Sequence, residues 1–370
     1  MKLVMDARFT RIDQVDGISR FGANLIEAAA RLADVTMLIS DERQLAWLPD
    51  VPWVKINSPL SPAELFVSHQ VNRLGADVVF CPMQTMGSLG RRYGLILTLH
   101  DLIYYRHPKP PGFLPKPVQL LWRLYHKAYW PQRLLLNRAD VVATVSATTR
   151  ALMEQARLTR RPVRIVSNAS VPQGAPRDPD GPREKTLLYM GSFMPYKNVE
   201  TLVAAMPQLP GYQLHLLSPI SEARRHELAA LAVDPQQLVF HNGVSEEKYR
   251  ELLHSTTALV TLSRDEGYGL PLIEAMAAGT PVVASDIPIF REVSGGAALQ
   301  VDPMDPAAFA AAVRQLEADA RWRRASVDGV LRAAGYDWDT SAAQLLEAAE
   351  AVLHLRSAPA DPAPPRRLAR

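Results

Sequence analysis

A chain of 370 residues, 48% hydrophobic and 21% charged, has the composition of a globular protein and the length of two domains with separate cores. No apolar run approaches the ~20 residues needed to span a bilayer, and the single cysteine, Cys81, excludes an intramolecular disulfide or a multi-cysteine metal site. The net charge of +3 conceals two opposed halves: residues 1–172 hold 22 Lys/Arg against 13 Asp/Glu, and residues 173–355 hold 15 against 24.

In chain order, Lys2–Met5 reads as a strand and not as a cleavable leader, so the expected location is the cytoplasm. A helix beginning near Ser19 carries Phe21, Leu25, Ile26 and Ala29 as one apolar stripe. Strands are predicted at Val35–Ile39, Val78–Cys81, Leu95–Leu99 and Val141–Val145. Cys81, at a strand end, reads as a small buried residue. The stretch Arg106–Arg164 holds twelve basic and two acidic residues, with Trp122, Tyr125, Tyr129 and Trp130 among them. Its first reading is a solvated cationic helical face with the aromatics in the core. Contact with an anionic acceptor, or peripherally with an anionic inner membrane face, is second, and nucleic acid a distant third, so no nucleic-acid partner is expected. Residues 168–185, rich in Pro and Gly, form the best linker candidate and the expected hinge. The alternation then restarts, with strands at Thr186–Met190, Gln213–Leu217, Leu238–Phe240, Ala258–Leu262 and Val282–Ala284. Strands alternating with helices in both halves predict an α/β protein of two doubly wound parallel sheets. No G-x-G-x-x-G follows the first strand, so dinucleotide binding has no support.

The segment Arg264–Gly279 says most about chemistry. The apolar run Thr257–Leu262 feeds Gly267-Tyr-Gly269, and Pro271 suits the first position of a helix that Gly279 would stop. A strand, a glycine loop and a helix N-terminus present open backbone N–H groups to an anion. Glu266 and Glu274 flank that site with seven residues between them. Carboxylates repel phosphate and suit hydroxyl groups, so the pattern fits a ligand with both a diphosphate and sugars.

Glu266 and Glu274 resemble the E-x7-E pattern of retaining glycosyltransferase family 4, and Gly279-Thr-Pro-Val-Val-Ala-Ser-Asp286 resembles the strand that follows it there. Met5-Asp-Ala-Arg8 with Gly17-Ile-Ser-Arg-Phe21, Thr98-Leu-His-Asp-Leu-Ile103, Ala139–Ser146 and Gly191-Ser-Phe-Met-Pro-Tyr-Lys-Asn198 fall in the family's order, so the resemblance covers nearly the whole chain. It implies the glycosyltransferase-B fold: an acceptor-side domain at 1–167, the linker, a nucleotide-sugar domain at 186–339, a helix at 340–355 crossing back, and a disordered tail at 356–370. It also implies roles. Glu274 would bind ribose hydroxyls, and Glu266 a hydroxyl of the donor sugar. Gly267, Tyr268, Gly269 and Leu270 would surround the diphosphate, with backbone N–H groups from Gly269 and Leu270. Lys197 would neutralise the leaving group. Gly17 and Arg20 would close over it from the first domain, and Asn242 to Val244 would meet the base. His100 would approach the reaction centre. Where many members place an arginine after the turn glycine, this chain has Ser192, so Arg264 or Arg20 becomes the candidate second cation; an ion pair of Arg264 with Asp265 competes with that role. Asp337-Trp-Asp339 matches a metal-binding D-x-D but reads as structural, so neither metal nor cofactor is expected. The implied activity is retaining transfer of mannose from GDP-mannose to a saccharide such as an oligomannoside. UDP-sugar transfer to a lipid-linked (glycolipid) acceptor, a nucleotide-sugar epimerase of the same fold, and a non-catalytic sugar-binding module are the alternatives.

Overall fold

The apolar runs become parallel strands in two separate sheets of a computed structural model that describes residues 1–13, 16–108, 115–170 and 174–357. The first sheet contains β1 (Lys2–Asp6), β2 (Asp34–Ile39), β3 (Trp53–Lys55), β4 (Val78–Cys81), β5 (Gly94–Leu99), β6 (Val141–Thr144) and β7 (Val163–Ile165), ordered β3-β2-β1-β4-β5-β6-β7. The second contains β8 (Thr186–Tyr189), β9 (Gln213–Leu216), β10 (Leu238–Phe240), β11 (Ala258–Thr261), β12 (Val282–Ser285) and β13 (Leu299–Val301), ordered β10-β9-β8-β11-β12-β13. Every residue of β4, β5, β6, β8, β11 and β12 is buried. Helices cover both faces of such sheets, which is why these strands read as continuous hydrophobic runs. Cys81 is fully buried, and desolvation pushes its thiol well above the usual range, so it is no nucleophile.

The helix Trp338–Ser357, last in the described chain, lies against the first sheet. Ala342, Leu345, Ala348, Ala349 and Val352 form its buried stripe, and the alanines let it come close. Gly94 makes room for it: a Cβ there would stand 2.1 Å from Val352 Cγ1. Arg356 still belongs to this helix and donates to the Arg92 carbonyl; the remainder of the expected tail, 358–370, lies outside the described residues. Asp337 caps the helix, accepting from Thr340 N and Oγ1 (both 2.7 Å), and Asp339 pairs with Arg31. Residues 174–185 do not hang free between the sheets. Arg177, buried, donates to the carbonyls of Thr256 (2.7 Å) and Pro182 (2.8 Å) and stacks 4.7 Å over Trp322, which docks this part of the linker on the second sheet.

Candidate active site

The strand order of a doubly wound sheet reverses at one place, where diverging loops open a crevice at the carboxyl ends. In the second sheet that place lies between β8 and β11. After β8 the chain turns at Gly191, where a Cβ would meet Tyr189 Oη at 2.9 Å, and the Tyr189 hydroxyl donates to the Ser192 carbonyl (2.6 Å). Ser192 therefore fastens the turn through its backbone. Asn198 adopts a left-handed φ of 55° and donates to the carbonyls of Leu262 (2.9 Å) and Pro303 (2.7 Å), tying this loop to those after β11 and β13. Lys197 is thereby delivered to Glu266. The two form an ion pair with both side chains largely buried, and Glu266 also accepts from the Ser263 hydroxyl at 3.0 Å.

After β11 the loop reaches Gly269, at φ +101°, where a Cβ would stand 2.8 Å from Phe290 Cε1; only glycine fits both the dihedral and the space. The helix Leu270–Ala277 follows. No described side chain caps it; Pro271 has no N–H and Leu272 N donates to the Gly269 carbonyl (3.0 Å), so the Leu270 N–H leads what this end offers an anion. Gly279 ends it at φ +76°, with Gly279 N donating to Met276 O (3.0 Å) and Thr280 N to Ala275 O (2.8 Å). Glu274, in the second turn, accepts from the Tyr249 hydroxyl at 3.1 Å. Burial pushes its carboxyl above the usual range, against the Tyr249 hydrogen bond and the Arg20 charge. The turn after β10 borders the same rim: Asn242 is left-handed and its side chain accepts from Ile220 N (3.0 Å), Gly243 N donates to Leu217 O (2.8 Å), and Val244 packs on the core.

The first domain meets this rim directly. Gly17 opens the helix Gly17–Ala30, capped by Asp16, and Arg20 on that helix pairs with Glu246 of the second half. Beyond β5, His100 Nε2 lies 2.8 Å from the Pro82 carbonyl, which can only accept. Nε2 therefore carries the proton and Nδ1 is the acceptor. Burial lowers the imidazole's pKa, so it is neutral at pH 7. Asp101 abuts the glycine loop: a Cβ on Gly267 would stand 2.8 Å from Asp101 Oδ2. His100-Asp101 and Glu266-Gly267 thus face one another across the crevice. Beside them opens a cavity of about 570 Å³ lined by Arg106, Thr148, Leu152, Arg264, Glu266 and Glu292 among others.

Two expectations change. Arg264 makes no ion pair with Asp265; it is exposed and donates to the Pro195 carbonyl at 2.7 Å. Asp265 instead faces the first domain, 2.8 Å from Arg106 and 3.1 Å from His107, while His107 stacks on Tyr196. The Tyr268 side chain points away from the crevice and donates to the Asn168 carbonyl at 2.7 Å, which leaves only its backbone for a ligand. Sequence reasoning missed Glu292, which accepts from the N–H groups of Ala147 and Thr148 (both 2.7 Å) and joins the domains. It also missed Tyr249 and the Arg106–Asp265 bridge; all three are contacts between residues remote in sequence. Among the described residues no group of three or more His, Cys, Asp or Glu side chains is placed to hold a metal ion.

Two family descriptions match, in tandem: "Glycosyltransferase Family 4" over residues 15–170 and "Glycosyl transferases group 1" over residues 177–328. The O-antigen chain mannosyltransferase RfbU of Salmonella typhimurium is 33% identical over 139 residues, 36% of this chain and 39% of that protein, so the similarity spans about two fifths of its length. O-antigen chain mannosyltransferase B of Escherichia coli is 27% identical over 276 residues, 68% of this chain and 69% of that protein. Among solved structures, HepE of Anabaena, in complex with UDP and glucose, superposes with a TM-score of 0.68 at 16% identity, covering 94% of this chain and 98% of that one. That likeness shows the two-domain glycosyltransferase-B fold.

Proposed function

We propose that this chain, matched in tandem by the two glycosyltransferase descriptions, is a family 4 hexosyltransferase that transfers mannose from GDP-mannose, with retention, to a saccharide acceptor such as an oligomannoside. The carrying observation is the Lys197–Glu266 pair at the β8/β11 reversal, opposite His100-Asp101. In this pair each side chain neutralises the other. A nucleotide diphosphate sugar offers a partner to both: phosphate oxygens for Lys197 Nζ, a sugar hydroxyl for the Glu266 carboxylate. The N–H groups of Gly269 and Leu270 add to the diphosphate site, and Glu274, seven residues beyond Glu266, takes the ribose hydroxyls.

Departure of the diphosphate puts growing negative charge beside Lys197 and the helix N-terminus, which stabilise the transition state more than the ground state. The anomeric carbon becomes oxocarbenium-like, and the acceptor hydroxyl attacks from the face the diphosphate leaves. A phosphate oxygen of the leaving group takes the acceptor proton. Glu266, held by Lys197 and Ser263, orients the sugar and forms no covalent bond to it. Neutral His100 offers Nδ1 as an acceptor to the donor sugar. The acceptor enters by the cavity at Arg106 and Thr148. The choice of mannose rests on the mannosyltransferase relatives; the UDP complex of HepE favours a UDP-sugar as the second reading. Asp337 and Asp339, engaged in a helix cap and an ion pair, support the structural reading of this D-x-D.

Thermal unfolding with saturating GDP or UDP, each with magnesium or chelator, tests this. A midpoint rise with GDP alone, indifferent to chelator, is expected. A rise with UDP alone moves the donor to a UDP-sugar, and no rise with either refutes a nucleotide-sugar site.

A further inference from the structure

Helices on the surface of a globular protein turn their apolar stripe inward. The helix Lys116–His126 does the reverse. Its inward side is formed by Trp122, Tyr125 and His126: the Trp122 and His126 rings lie 4.0 Å apart with their planes tilted by 32°, Tyr104 meets Trp122 edge-on at 5.1 Å, and the Tyr125 hydroxyl lies 3.1 Å from Gln132 Oε1. Pro117, Leu120, Leu121 and Leu124, spaced i, i+3, i+4, i+7, share the opposite side. No residue of this helix is buried, and Leu120, Leu121 and Leu124 are 60%, 68% and 55% exposed. The next helix, Trp130–Leu136, adds Trp130 at 62% and Leu134 at 59%. The aromatics expected in the core therefore form a half-buried seam or, in Trp130, stand in solvent.

Charge identifies what covers this face. From Leu102 to Ala139 the sequence holds seven Lys/Arg and no Asp/Glu. Lys116, Arg123 and Lys127 fall along one flank of the leucine stripe, and none pairs with a described acidic side chain. Aliphatic residues with a tryptophan beside a row of unpaired cations form the pattern of a helix lying in the headgroup boundary of an anionic bilayer. Nucleic acid would have no use for the leucines.

We propose that the outward face of the Lys116–His126 helix, with Trp130 and Leu134, docks this protein on the surface of an anionic lipid bilayer. The helix is carried by Tyr104 and Tyr105 of the turn directly after His100-Asp101, and Arg106 of the same turn reaches Asp265. The docked face thus lies beside the mouth of the crevice, where an acceptor anchored in the bilayer can enter. The inference stands on this surface and not on the identity of the donor.

Sedimentation of the full chain with vesicles tests it. Vesicles of phosphatidylcholine with phosphatidylglycerol should carry the protein down at low salt, less so at high salt, and pure phosphatidylcholine vesicles much less. Leu121→Glu/Leu124→Glu should lower the bound fraction at least tenfold, and Lys116→Gln/Lys127→Gln should remove the salt dependence. Both variants should keep the parent's melting midpoint and its shift with nucleotide. Absence of binding to the anionic vesicles overturns the proposal. So does a dimer, seen by light scattering, that Leu121→Glu/Leu124→Glu converts to monomer, because a second copy would then cover the face.

Discussion

The rims of the two sheets handle charge in opposite ways. Beyond β1, the buried Arg8 guanidinium donates to both oxygens of Asp6 (2.8 Å each), to Glu64 Oε2 (2.6 Å) and to the Asn57 carbonyl (3.0 Å), and Glu64 accepts further from Gly87 N (3.0 Å). Burial works against the guanidinium charge, and Asp6 and Glu64 outweigh it. Every strong donor and acceptor is spent within the protein, so this network is scaffold. Beyond β8 and β11, Lys197 and Glu266 hold mainly one another, and Glu274 has Tyr249. A ligand can replace those partners. Two rims of one architecture thus divide the work: the first ties its charges to one another through several bonds each, and the second leaves its charges few partners to give up.

The largest effect should come from breaking the scaffold. Arg8→Met strands the buried Asp6 carboxylate and takes one donor from the half-buried Glu64, and loss of one partner from a buried charge network costs about 3–5 kcal/mol. Denaturant unfolding should show that loss, while the protein that stays folded keeps its thermal response to nucleotide. A loss below about 1 kcal/mol, within the range of an exposed ion pair, would mean that the two rims do not differ as argued.

On the other rim the sensitivity should be reversed. Lys197→Met should lower kcat roughly 10²–10³-fold, the scale of removing one transition-state donor, and should cost less unfolding free energy than Arg8→Met, because Glu266 keeps the Ser263 hydroxyl and some access to water. Because Lys197 and Glu266 act on one another, Lys197→Met with Glu266→Gln should cost less than the product of the two single effects. Steady-state kinetics of the four proteins decide this. Independent effects would show that the pair is not a unit.

This contrast was only partly legible in the sequence. The central strands announced themselves because a strand buried on both faces is a continuous apolar run. The edge strands β3, β7 and β13 escaped: each has three residues, none fully buried, and no pattern distinguishes so short a run from a loop. Within the site, Glu266, Gly269, Glu274 and Lys197 were legible because a loop and a helix start concentrate them locally. Arg8's network, Glu292's cap on Ala147 and the turn of Asp265 towards Arg106 were not, since each joins residues tens to more than a hundred positions apart. Arg264 shows the local bias most plainly. Adjacency suggested Asp265 as its partner, yet neighbouring residues on an extended loop point to opposite sides, and the two find partners in different domains.

The smallest expected effect concerns Glu274, where the exchangeable rim exposes a conflict between stability and binding. Burial raises this carboxyl's pKa in the folded protein above its unfolded value. Folding therefore favours the protonated form: the stability this group contributes is full below the ordinary glutamate pKa of about 4.3 and is lost as pH rises through the raised folded value. Glu274→Gln removes the charge and keeps the shape, so its melting midpoint should equal the parent's at low pH and exceed it at pH 7. Nucleotide affinity should move the other way, falling roughly tenfold as a hydrogen bond to a charged acceptor is weakened. Unfolding curves across pH, with and without nucleotide, read both. A variant less stable than the parent at pH 7 would show that the Tyr249 hydroxyl and Arg20 already compensate the buried charge, and that Glu274 belongs with the scaffold of the first rim.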